Sequence, residues 1–146
     1  MGTVRFWTDR PTALRYSFAA VPHVAPVLYS VDLSECAAIR QLTAEEISET
    51  FTAALEGAGA TILHVVSHRF AGDGLTCALL LSESHAVLHT WPETGTVNLD
   101  IFSCSSRLKS LDAITELSRL FGAGKVSIQE VPRADGHHPV VISPGA

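Results

Sequence analysis

The chain has 146 residues, 47% hydrophobic and 17% charged, and fifteen Asp and Glu against ten Lys and Arg give a net charge of −5. Those values fit one packed domain and exclude a mainly disordered chain. No apolar run approaches the roughly 20 residues of a membrane helix, and no cationic cluster offers a footprint for nucleic acid.

Residues 1–25 carry Arg5, Arg10 and Arg15 but no continuous apolar stretch of the signal-peptide kind. They read as an N-terminal extension, and the lack of a leader points to a cytoplasmic protein. Pro26 to Leu33 alternates and is β-branched, which predicts a strand. Thr43-Ala44-Glu45-Glu46 is a capping box and starts a helix that runs to about Glu56. Ile47, Phe51, Ala54 and Leu55 form its apolar stripe, and Gly57 and Gly59 end it. Thr61 to Phe70 is the next strand. Ala71 to Gly74 is a turn, with Asp73-Gly74 supplying the positive-φ preference of hairpins. Leu75–Leu81 and His85–Trp91 are strands joined around Ser82-Glu83-Ser84. After the turn Pro92–Gly95, Val97 to Cys104 alternates again. Leu108, Leu111, Ile114, Leu117 and Leu120 mark a second helix, closed by Gly122 and Gly124. Lys125 to Val131 is the last strand, and residues 133–146 are a C-terminal tail. The domain proper is therefore 26–132.

This order predicts an α+β fold, a two-layer sandwich. Short turns between neighbouring strands imply antiparallel pairing. Two helices cover one face of the sheet. Runs such as Ala78-Leu79-Leu80-Leu81 are apolar on both faces, so a second sheet should pack on the other side. The expected assembly is a homodimer forming an αββα sandwich.

Three cysteines, Cys36, Cys77 and Cys104, make an odd number without a CxxC pair, which argues against a disulfide framework or a zinc ribbon. His64 and His68, like His85 and His89, are spaced HxxxH. On a helix that spacing chelates zinc. On a strand it spans roughly 13 Å, too far for one ion, so no metal site is expected. Ser84, His89 and Asp100 could be written as a hydrolytic triad, but no GxSxG elbow surrounds the serine. Gly72, Gly74 and Gly95 lie in turns and build no phosphate loop.

Residues 82–104, SESHAVLHTWPETGTVNLDIFSC, concentrate an acid, a serine, two histidines, a tryptophan, a second acid and a cysteine. This stretch resembles the prokaryotic-type S-adenosylmethionine decarboxylases. The match runs through Glu83-Ser84-His85, His89-Thr90-Trp91-Pro92-Glu93, Gly95, Asp100 and Phe102–Cys104. The spacing from Ser84 to His89 to Cys104 agrees without a gap. The resemblance extends to Gly57–Thr61, Phe70 and Val126-Ser127, and covers roughly residues 27–132.

The resemblance implies a proenzyme that cuts itself between Glu83 and Ser84. The Ser84 hydroxyl attacks the Glu83 carbonyl and turns the amide into an ester. The histidine matching His89 is the base that removes the Ser84 α-proton. Elimination and hydrolysis then leave a pyruvoyl group, the cofactor, at the new N-terminus. A strained turn at Ser82-Glu83-Ser84 would assist the acyl shift. The pyruvoyl ketone forms a Schiff base with the substrate amine and takes up electrons as carbon dioxide leaves. The cysteine matching Cys104 is the proton donor. Phe70 and Trp91 match the aromatics that sandwich adenine, Glu93 matches the acid that binds the ribose hydroxyls, and Thr76 sits where the family has a small hydroxyl residue. The implied partner is S-adenosylmethionine, and the product feeds spermidine synthesis.

Departures from the family pattern are Thr94 for a usual tyrosine, Ala25–Leu28 at the first strand, Ser105-Ser106 after the cysteine, and Cys77 for a usual glycine. They leave two alternatives: the same pyruvoyl chemistry on arginine or ornithine, or a homologue that binds without processing. Retention of Phe70, Trp91 and Glu93 favours the nucleoside.

Overall fold

The computed structural model describes residues 25–133. Six strands and two helices follow in the order β1 (Val27–Ser34), α1 (Ala44–Gly57), β2 (Ile62–Arg69), β3 (Leu75–Leu81), β4 (Ser84–Trp91), β5 (Thr96–Ser103), α2 (Ser110–Leu120) and β6 (Lys125–Pro132). Each was expected from the sequence within one or two residues at its ends. The calls for an extension over residues 1–25 and a tail over 133–146 lie, but for Ala25 and Arg133, outside the described residues.

The strands form one sheet in the order β2-β3-β4-β5-β1-β6, antiparallel throughout. β2 through β5 form a meander. β1 then slots between β5 and β6, so that α1 and α2 are the two crossovers. Both helices lie on one face, as predicted. Alternation decides what each strand sends there. Val31, Leu33, Leu75, Cys77, Leu79, Ala86, Leu88, Leu99 and Ile101 are buried under the helices with Phe51, Leu55, Ile114 and Leu117.

The start of α1 is fixed by its sequence. The Glu46 amide donates to the Thr43 hydroxyl at 3.2 Å, and the Glu46 carboxylate accepts from the Thr43 amide at 2.8 Å. That hydrogen bond holds the Glu46 carboxyl below its usual range. Thr43→Ala removes one half of the box. It is expected to cost about 1 kcal/mol, read as a lower urea midpoint at unchanged slope.

The α1 C-terminus is tied to the segment after β5. Gly59 has φ +97°, and a Cβ there would lie 2.5 Å from the Arg107 carbonyl oxygen. A glycine is required on both counts. Beside it the Lys109 amide donates to the Ala58 carbonyl at 2.8 Å.

Two expectations need correction. The apolar series 108, 111, 114, 117, 120 is not the buried stripe of α2. Leu111 and Leu120 are 50% and 37% exposed, whereas Ala113, Ile114, Leu117 and Phe121 are buried. A strict period of three walks around a helix of 3.6 residues per turn, so its members cannot share one face. At the β2–β3 turn the positive φ values fall on Gly72 and Asp73 rather than on Gly74. Gly74 instead lies where a Cβ would meet the Thr90 carbonyl oxygen at 3.2 Å.

The face away from the helices is open. It presents Thr76, Ala78 and Leu80 of β3, His85, Val87 and His89 of β4, and Asn98, Asp100 and Phe102 of β5. On edge strand β2, Val66 is 67% exposed.

Candidate active site

The sequence groups Ser84, His89 and Cys104 in one motif, but the fold divides the motif between two ends of the sheet. At one end, Leu81 pairs with Ser84 across a two-residue turn of Ser82 and Glu83. Ser84 also pairs with Ser103 on β5. That register brings the next residue, Cys104, alongside, and its amide donates to the Ser84 hydroxyl at 3.3 Å. Glu83, Ser84 and Cys104 thus form one group, with the Glu83–Ser84 bond at the hairpin tip. Neither Ser82 nor Glu83 has a positive φ. The backbone strain expected here is therefore not stored in a left-handed residue.

At the other end, β3, β4 and their turns build a cavity of about 620 Å³ lined by Phe70, Thr76, His89, Trp91, Glu93 and Asn98, among others. Thr76 and His89 are register partners, and the Thr76 hydroxyl and His89 Nδ1 share a hydrogen bond of 2.8 Å. The pair fixes the imidazole at one nitrogen. Phe70 and Trp91 are 52% and 48% exposed, so these large aromatics are not strand-end core. The His68 ring meets Phe70 edge-on, 4.7 Å between centroids.

Sequence reasoning missed Asn98 and Asp32. The Trp91 indole donates to Asn98 Oδ1 at 2.7 Å, and the Asn98 amide nitrogen donates to Asp32 Oδ1 at 2.7 Å. This chain across three strands fixes the indole plane. Its only trace in the sequence was polar residues at alternating strand positions. Thr94, the departure from the family tyrosine, donates its hydroxyl to the Trp91 carbonyl at 3.2 Å.

His89 is five positions from Ser84 along β4, roughly 16 Å. It has the opposite side-chain parity as well. Ser84 shares the parity of Ala86 and Leu88 under the helices, and His89 belongs to the open face. Within one chain the fold does not bring His89 to Ser84.

The three thiols differ in access. Cys36 and Cys77 are buried and Cys104 is exposed. Burial pushes the Cys36 and Cys77 thiols up, with the Ser48 hydroxyl opposing it slightly at Cys77. An aromatic disulfide reagent at pH 8 is expected to titrate Cys104 at least tenfold faster than the other two, since only thiolate reacts. Peptide mapping of the labelled residue checks the order. Among the described residues no three His, Cys, Asp or Glu side chains gather as a metal site, and no helix is long and apolar enough to cross a membrane.

The described residues thus form a two-layer α+β sandwich that carries a serine hairpin and an aromatic-walled cavity on one antiparallel sheet. The solved adenosylmethionine decarboxylase of Aquifex aeolicus superposes with a TM-score of 0.69 over 85% of this chain and 98% of its own, at 21% identity. The chain belongs to the S-adenosylmethionine decarboxylase family, whose profile matches residues 28–134. A relative named S-adenosylmethionine decarboxylase proenzyme from Syntrophomonas wolfei is 43% identical over 81 residues, 56% of this chain and 64% of that protein. Its namesake from Methanococcus maripaludis is 34% identical over 87 residues, 60% of this chain and 71% of its own. The aligned part of this chain thus spans a little under two thirds of the first of these relatives.

Proposed function

We propose that this chain is a self-processing, pyruvoyl-dependent decarboxylase of S-adenosylmethionine, built on the domain 26–132 and working in the cytoplasm. The observation that carries the reading is the cavity walled by Phe70 and Trp91 with Glu93 at its rim. Two flat apolar faces suit adenine, and a carboxylate suits a ribose diol. A plain arginine or ornithine needs no aromatic clamp.

The processing chemistry belongs to the Glu83–Ser84 hairpin. The Ser84 oxygen attacks the Glu83 carbonyl carbon, the C–N bond breaks, and an ester replaces the amide. His89 then removes the Ser84 α-proton, the new main-chain carboxylate of Glu83 leaves, and the dehydroalanine tautomerises to an imine that water hydrolyses, releasing ammonia and leaving the ketone. The role calls for the tautomer whose Nδ1–H donates to the Thr76 hydroxyl, which leaves a free lone pair on Nε2 to take the proton. The pyruvoyl group, once formed, supplies an electron sink for decarboxylation. Cys104, beside Ser84 and open to solvent, returns the proton.

The separation of Ser84 from His89 supports a homodimer. Two open faces packed about 10 Å apart, with the two-fold axis between them and across the strands, carry the Trp91 end of one sheet over the Ser84 end of the other. Each site then takes Glu83, Ser84 and Cys104 from one protomer, and Thr76, His89, Phe70, Trp91 and Glu93 from its partner.

The test of substrate is release of labelled carbon dioxide from S-adenosylmethionine, arginine and ornithine, on protein already shown to be cleaved. S-adenosylmethionine is expected to be strongly preferred. Trp91→Ala is expected to lower kcat/KM for it by about 5- to 150-fold, roughly 1–3 kcal/mol. Turnover of a basic amino acid and none of S-adenosylmethionine would falsify the assignment while leaving the pyruvoyl chemistry intact.

A further inference from the structure

We infer that Arg40 is a positioning residue for the nucleoside end of the substrate, acting through the Trp91–Glu93 turn. This rests on the substrate reading above. Arg40 lies in the segment between β1 and α1, more than fifty residues from the turn. Its guanidinium makes two hydrogen bonds there: Nε donates to the Pro92 carbonyl at 2.8 Å and Nη2 to the Glu93 carbonyl at 2.9 Å. The planar fork holds two successive carbonyls at once, which a single ammonium cannot do with the same geometry.

What this grip controls is the placement of two side chains. Trp91 is the last residue of β4, and Glu93 lies in the turn that follows. Both line the aromatic cavity. On its far side the turn borders a second cavity of about 560 Å³, into which Arg40, Arg69 and Glu93 also open. Within the turn, the Thr94 and Gly95 amides donate to the Trp91 and Pro92 carbonyls at 3.1 and 3.3 Å. From outside, it is held by hydrogen bonds from the segment after β1. The Cys36 amide donates to the Gly95 carbonyl at 2.9 Å and secures the far end of the turn. Arg40 secures the end that carries Trp91 and Glu93. Asn98 orients the indole ring from the β5 side, so ring and backbone are fixed from opposite directions.

A loosened turn costs binding and leaves the chemistry alone. Arg40 touches none of the groups that carry the chemistry: its bonds go to the Pro92 and Glu93 carbonyls, and His89, though it lines the same cavity, is held from β3 by the Thr76 hydroxyl rather than from the turn. Arg40→Ala is therefore expected to raise KM for S-adenosylmethionine about tenfold. The expected kcat stays within twofold of wild type, and so does the half-time of self-cleavage. Arg40→Lys, which restores the charge but not the fork, is expected to recover only part of the KM.

A second readout needs no turnover. In a Trp7→Phe background Trp91 is the sole tryptophan, and its quenching by acrylamide is expected to increase about twofold in Arg40→Ala. Unchanged KM together with unchanged quenching overturns the proposal. So does a parallel fall of kcat and cleavage rate, which marks a general structural defect. Full recovery by Arg40→Lys overturns the fork. Failure of the substrate reading looks different, because cleaved wild-type protein then gives no carbon dioxide from S-adenosylmethionine. The quenching arm still decides whether Arg40 holds the turn.

Discussion

Ser84→Ala is expected to leave the chain whole at 146 residues, where the wild type is expected to divide after Glu83 into pieces of 83 and 63 residues. The expected effect is total, because in the proposed processing the serine oxygen is the attacking atom and alanine offers none. The fold should survive. The Ser84 hydroxyl accepts one 3.3 Å hydrogen bond from the Cys104 amide, and its loss costs about 1 kcal/mol. Intact mass spectrometry reads the division directly, and the smaller piece should begin with a pyruvoyl group and resist Edman degradation. His89→Ala should stop one step later, at the ester. Hydroxylamine attacks esters and spares amides, so it should cut that variant after Glu83. A wild-type chain that stays whole on long incubation would remove the processing reading and favour a homologue that only binds.

The second large effect is expected in mixed dimers. The Ser84→Ala chain keeps a working His89, and the His89→Ala chain keeps a working Ser84. If each site draws these residues from different protomers, a mixed dimer contains one complete site and one site lacking both. Co-expressing the two variants, distinguished by mass tags, should give cleavage in the His89→Ala chain and none in the Ser84→Ala chain. Either variant alone should give none. The ground is distance: along a strand five residues span roughly 16 Å, beyond the reach of an imidazole. Cleavage of His89→Ala alone at the wild-type rate would show that His89 is not the base. No cleavage in co-purified mixed dimers would show that the two residues act within one chain.

The local elements were legible in the sequence because local rules set them. The Thr43–Glu46 capping box is a contact between residues three apart. The strands follow from alternation, and the helices on one face follow from crossovers on an antiparallel sheet. Leu111 and Leu120 misled because apolar residues spaced three apart resemble a stripe without keeping to one side of the helix.

The motif from Ser84 to Cys104 named the candidate residues, since their types and spacing are linear information. Its arrangement was decided only by the tertiary structure. Strand register placed Cys104 beside Ser84, twenty residues away in sequence, and strand length carried His89 to the other end of the sheet. Side-chain parity then set Ser84 and His89 on opposite faces. The grip of Arg40 on Pro92 and Glu93 and the chain from Trp91 through Asn98 to Asp32 are likewise absent from any local pattern. The Arg40 bonds and the Asn98–Asp32 bond join residues far apart in sequence, and these contacts exist only once β1 has entered the sheet between β5 and β6.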